Sequence, residues 1–193
     1  MSTGFPLEIT TDRLLLRRPV PDDLADVFAV NADPRVWTHF PSLRPTAPEQ
    51  IETMMERWWR SWERAGLGSW TVRLRETGQT IGNGGCTLLA SDPDDPAARV
   101  WNLGYRLSAD HYGHGYATEL ARAARAAAAE VMSEVPVIAF LVEHNRPSAA
   151  VAEKAGLSLV HRAPDAGNPD PAVMRLVYAD RPLSAVQLAT ALR

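Results

Sequence analysis

The stretch LGYRLSADHYGHGYATELARAARAAAAE, from Leu103 to Glu130, limits the fold of this chain more than any other. Leu103, Tyr105 and Leu107 alternate with Gly104 and Arg106, the period-two pattern of a strand with two unlike faces. Ser108, Ala109 and Asp110 break that pattern. Gly113 and Gly115 then allow a tight turn or a close backbone approach. From Ala117 onward the residues are nearly all strong helix formers, and Leu120, Ala124, Ala127 and Val131 share one face. The order is therefore strand, glycine loop, helix. Such a loop presents unpaired N–H groups and the positive end of a dipole, which suits a phosphate. Taken alone, it fits equally a tight turn that binds nothing. A Walker loop is excluded, because no Gly-Lys-Ser/Thr follows. The dinucleotide fingerprint would need a third glycine where Thr118 stands.

The rest of the chain reads as a mixed α/β protein. A length of 193 residues suits one domain, 1–193, with a sizeable core. A net charge of −3 with no basic block gives no reason to expect nucleic acid. Cys86 is the lone cysteine, so an internal disulfide and a cysteine-based metal site are both excluded. The opening MSTGFPLEIT lacks the charged and apolar regions of a signal peptide, and no run is long enough to span a membrane. Together these lead to the expectation of a cytoplasmic protein.

Taken in order, Leu7 to Arg18 reads as one opening strand, with Leu14 and Leu16 facing alike. Pro21-Asp22-Asp23 starts a helix with Leu24, Val27 and Phe28 on one face. Asp33-Pro34 starts a second short helix carrying Val36, Trp37 and Phe40, and His39 reads as a partly exposed helix-end residue. Between Pro45 and Ala65, Ile51, Met54, Met55, Trp58, Trp59 and Trp62 form an amphipathic stripe. It reads first as core, and otherwise as an acceptor-pocket lining or a homodimer contact. Trp70 to Leu74 and Thr80 to Leu89 are strands of a hairpin, the second glycine-rich enough to suggest a bulge or a close approach. Val135 to Val142 is a buried strand, and Asn145-Arg146-Pro147-Ser148 opens a helix that Gly156 caps. Leu157 to His161 and Val173 to Tyr178 are the last strands, and Ser184 to Leu192 is a short helix.

Two blocks carry a resemblance. Tyr112-Gly113-His114-Gly115-Tyr116-Ala117 resembles the acyl-CoA loop of the GNAT acetyltransferases, Gln/Arg-x-x-Gly-x-Gly/Ala. Asn145, Ser148, Lys154, Gly156 and Leu157 match the second signature block, Asn-x-x-Ser…Lys-x-Gly-Phe/Leu. Thr118-Glu119 and the opening Thr10-Thr11-Asp12-Arg13-Leu14 resemble the RimJ/RimL-like ribosomal-protein branch. That branch commonly has Trp at the position of Tyr112 and Lys at that of His114. The resemblance implies a mixed, mostly antiparallel sheet with a splayed parallel strand pair, flanked by helices.

It also implies the chemistry. Acetyl-CoA is the co-substrate and an amine the acceptor. Backbone groups near Tyr105, Arg106 and Leu107 would pair with the pantetheine. The amides of Gly113, His114, Gly115, Tyr116, Ala117 and Thr118 would surround the pyrophosphate, with the Thr118 hydroxyl as a further donor. Tyr112, Asn145 and Lys154 complete the co-substrate set, and Ser148 would protonate the leaving sulfur. Many relatives carry Glu as the base two residues before the Gly-Tyr pair, where this chain has Asn102. Three readings stay open: a water chain, a substitute among Glu143, His144 and His39, or an acceptor that needs little help. An α-amine, with a pKa of about 7.7–8, is often neutral at neutral pH, whereas a lysine amine at about 10.4 is not. Asn102 thus favours a protein N-terminus or another low-pKa amine. The small-molecule alternatives are antibiotics, polyamines and amino acids. A non-catalytic acyl-CoA sensor is the rival, and nucleotide binding a weaker one.

Overall fold

A computed structural model describes residues 6–166, 168 and 170–192. Part of the opening segment read above, residues 1–5, lies outside them. Eight strands form one sheet: β1 (Glu8–Thr10), β2 (Leu14–Arg17), β3 (Ser69–Leu74), β4 (Thr80–Ala90), β5 (Arg99–Leu107), β6 (Val137–Val142), β7 (Ser158–Pro164) and β8 (Met174–Ala179). Their order is β1-β2-β3-β4-β5-β6-β8-β7. Among these described strands only β5 and β6 pair in parallel. The helices are α1 (Leu24–Ala32), α2 (Pro48–Ala65), α3 (Tyr116–Val131), α4 (Arg146–Lys154) and α5 (Ala185–Leu192).

The opening segment differs from its sequence reading. It is a hairpin of two short strands, with Ile9 opposite Leu16, because the chain turns at Thr11-Asp12-Arg13. Leu14 and Leu16 do face alike and are fully buried. The tryptophan stripe of α2 is core: Trp58 and Trp62 are buried, and Ile51, Met55 and Trp58 form a cluster with Val27 of α1. The glycines of β4 answer a close approach. A Cβ at Gly84 would lie 2.7 Å from Leu120 of α3 and 2.8 Å from the Tyr105 Cβ, so only glycine lets α3 and β5 sit this near.

Asp23 ties the first helix to the sheet. Its buried carboxylate accepts from the Val20 N–H (3.0 Å), Arg17 (3.0 Å), Arg73 (2.8 Å) and the Thr71 hydroxyl (2.9 Å). Burial alone would raise its pKa, but the Val20 amide, Arg73, Thr71 and Arg17 outweigh it, and the net shift is downward. Asp23→Ala removes the buried partner of two partly exposed arginines, of which Arg73 keeps a 3.9 Å contact with Asp26, and an unfolding titration should show a loss of about 1.5–3 kcal/mol. The contribution of Asp23 is present above the unfolded carboxylate value of about 3.9. It is lost as pH falls through the lower folded value, so the gap between wild type and variant should close only in strong acid.

Candidate functional site

The pairing of β5 with β6 stops early. Trp101 lies opposite Val137 and Asn102 opposite Ile138, and no later pair forms. Pairing of β5 with β4 continues to Leu107 opposite Gly82. Trp101 gives its N–H to Pro136 on the β6 side. Strand alternation directs the Tyr105 N–H to that same side, beyond the last pair. The strands therefore splay at Leu103, opening a cleft of about 310 Å³. Asn102, Tyr105, Arg106, Asn145 and Ser148 all line it.

At one end of β5 a short turn, Ala109–His111, leads into the glycine loop. Gly113, His114 and Gly115 are exposed, and the first α3 bond recorded from the loop is Glu119 N–H to the Gly115 carbonyl, at 3.1 Å. Amides ahead of Glu119 are the unpaired donors of a helix start. Gly115 is the N-cap, with φ +81°, a region that disfavours side chains. A Cβ at Gly113 would meet nothing within 4 Å, so the space before the loop is open. Open space, free N–H groups and a helix start fit a pyrophosphate.

The loop is braced by a contact absent from the sequence reading. Glu119 accepts from the Thr11 hydroxyl (2.5 Å) and from the Arg13 N–H and Nε (2.8 Å each). Arg13 also donates to the His114 carbonyl at 2.7 Å and lies 4.6 Å from the Tyr116 ring centroid. The Thr-Asp-Arg-Leu motif was the available signal, but it does not say which distant acid it meets.

Asn145 caps α4, its Oδ1 accepting the Ser148 N–H at 3.3 Å. The Tyr105 hydroxyl donates to the Ser148 carbonyl at 3.2 Å, and burial raises its pKa to about 12. Both bonds use the main chain of Ser148. Among the described residues its hydroxyl has no protein partner, and the same is true of the Thr118 hydroxyl and the Asn102 amide. Tyr112 is half exposed, and neither it nor the glycine loop lines the cleft itself. Lys154, also outside the cleft lining, is exposed at the end of α4, where its carbonyl accepts from Arg122 at 3.1 Å.

The opposite wall comes from the chain after α1. Asn31 donates to Asn83 of β4 at 2.8 Å and accepts the Trp37 indole N–H at 2.6 Å, which sets Trp37 over the cleft. His39 lines the cleft beside Trp37. Burial first, then Arg106 and His144, push its pKa down to about 4, so it is neutral and a weak proton acceptor. His144 donates its Nε2–H to the His39 carbonyl at 2.9 Å. Glu143 is bound by Arg162 at 2.7 and 2.9 Å, which lowers its pKa. Sequence reading missed Asp165 and Arg175, which line the cleft and pair at 2.7 Å. Their stretch of sequence resembles an ordinary solvated turn and strand.

The cleft thus joins a splayed strand pair to a glycine loop at a helix start. The GNAT acetyltransferase domain family matches residues 13–158. An acetyltransferase from Agrobacterium tumefaciens str. C58 is 30% identical, with a TM-score of 0.70, over 94% of this chain and 98% of that one. The ribosomal-protein-S5-alanine acetyltransferase of Vibrio fischeri shares the fold, at a TM-score of 0.73 over 90% of this chain and 96% of that one, but only 12% identity. The uncharacterized protein YkkB of Bacillus subtilis is 27% identical over 156 residues, 78% of this chain and 84% of that protein. The chain belongs to the GNAT acetyltransferase family, whose members in general move an acyl group from acetyl-CoA to an amine.

Proposed function

We propose that this chain, acting as a single domain, is an N-acetyltransferase that moves acetyl from acetyl-CoA directly to a low-pKa primary amine. That amine is the α-amine of a protein N-terminus or of a small molecule. The observation that carries the reading is the end of β5–β6 pairing at Asn102 and Ile138, next to the glycine loop. Acetyl-CoA supplies the activated acetyl group as a thioester. The loop amides from Gly113 to Thr118, with Tyr112 beside them, hold its pyrophosphate. Tyr105 and Leu107 offer backbone groups to its pantetheine, and Asn145 meets it from the other strand; the N–H and carbonyl of Arg106 face β4 instead, because alternate residues of a strand point to opposite sides. Lys154 belongs to this set through its signature block alone, and it does not line the cleft. The Tyr105 N–H is placed to stabilise negative charge developing on the thioester oxygen. Ser148 donates a proton at the leaving sulfur.

Asn102 cannot take a proton, and Glu143 is held by an arginine. The acceptor's own pKa then governs the rate. The RimJ/RimL-like motifs of the glycine loop and the opening segment support this branch. A cytoplasmic setting suits a chain whose one cysteine is buried and free. No helix among the described residues is long and apolar enough to cross a membrane.

The test is release of free CoA thiol with an amine panel, followed against pH. For two acceptors differing by about two pKa units, kcat/KM should level off at two different values, each near the acceptor's own. A shared inflection near 6–7 would instead reveal an enzyme base. No thiol release with any amine, despite acetyl-CoA binding, would leave the sensor reading standing.

A further inference from the structure

The side chain of Arg106 has no role in the chemistry above. It lies on the same β5 face as Asn102, at the wall of the cleft. Its Nη1 donates to the Val36 carbonyl at 2.7 Å, and its guanidinium stacks 3.6 Å from the Trp37 ring centroid. Among the described residues no carboxylate pairs with it. The nearby wall acids, Asp33 and Asp110, are taken by Arg35 at 2.6 and 2.7 Å. Asp165, the one carboxylate among the described cleft residues, is taken by Arg175. His39 beside Arg106 is neutral. Burial draws the Arg106 pKa down to about 10, which leaves the group charged at neutral pH. A desolvated cation costs free energy unless an anion joins it. Stacking on an indole face leaves the donors at the edge of the guanidinium free for a carboxylate.

We propose that Arg106 holds an anionic group of the acceptor, so that the substrates are small amino-carboxylates, namely short peptides with a free C-terminus and an α-amine of ordinary peptide pKa. This rests on the acetyltransferase reading and narrows it. Polyamines and aminoglycosides would bring several positive charges to a cleft whose described residues include an unpaired cation and no free carboxylate.

Diglycine and triglycine, each as free acid and as C-terminal amide, test this with the whole protein. Turnover is measured as CoA thiol release, and binding to the CoA-loaded protein by calorimetry, which reads the anion site without chemistry. At least one acid should exceed its amide by about 10–100-fold, the range for a hydrogen bond to a charged group. Arg106→Gln should bring that ratio to about one, and Arg106→Lys should restore part of it. Acids and amides bound equally by the wild type would overturn the proposal. So would a ratio that survives Arg106→Gln. The phosphates of the co-substrate are the other anions at hand. If Arg106→Gln weakens acetyl-CoA as much as it weakens the acid, Arg106 serves them and the proposal is wrong. Acid preference in binding without any turnover would keep this inference and sink the catalytic reading.

Discussion

Gly115→Val will lower acetyl-CoA affinity by at least about 100-fold, a loss equal to two charge-assisted hydrogen bonds at roughly 1.5–3 kcal/mol each. Gly115 is the N-cap of α3, with φ +81° and ψ 4°. A β-branched residue is a genuine outlier there, and the strain is relieved by rotating the peptide units that aim the loop amides. No collision inside the protein forbids the side chain, since the nearest atom to a Cβ is Arg13 Nη2 at 3.6 Å. The valine would instead point into the open space proposed for the pyrophosphate. Arg13 and Glu119 continue to brace the start of α3, so the variant should fold. Isothermal calorimetry beside a melting curve separates the cases. Unchanged affinity in a folded variant would remove the loop from the co-substrate site.

The second large effect belongs to Ser148. Ser148→Ala should cut kcat by about 10²–10⁴-fold, the usual worth of general acid–base catalysis, with acetyl-CoA affinity kept within a few-fold. The structure makes this a clean substitution. The hydrogen bonds of Ser148 to Asn145 and Tyr105 use its N–H and carbonyl, which alanine retains. Alanine also favours the helix. Only the hydroxyl, with no protein partner among the described residues, is removed. Steady-state kinetics with a fixed acceptor reads the result. A drop of less than about tenfold would make Ser148 a first-turn residue of α4 and no more.

The elements behind these two variants are legible in the chain because each is local. Leu103, Tyr105 and Leu107 alternate over five residues, Gly113 and Gly115 mark the turn, and the alanines past Ala117 announce the helix. Asn145, Pro147 and Gly156 likewise mark both ends of α4. The stripe of α2 needed only helical periodicity, though its burial against α1 decided between core and pocket. A strand–turn–strand hairpin hidden in Leu7 to Arg18 escaped, because Thr11-Asp12-Arg13 carries no glycine or proline to announce the turn.

What sequence alone determined is the run of elements, the glycine loop, the two signature blocks and the family they imply. Tertiary structure decided where β5 and β6 part, that β8 lies between β6 and β7, and which ionisable groups meet. Arg106 finds Val36 seventy residues away, Arg13 finds Glu119 across 106, and Arg175 takes the one carboxylate among the described cleft residues. The physical reason is one of range. Propensity and periodicity act over a few residues and are written in the neighbours. A charge's partner depends on strand register and helix packing, which arise only when the whole sheet is assembled.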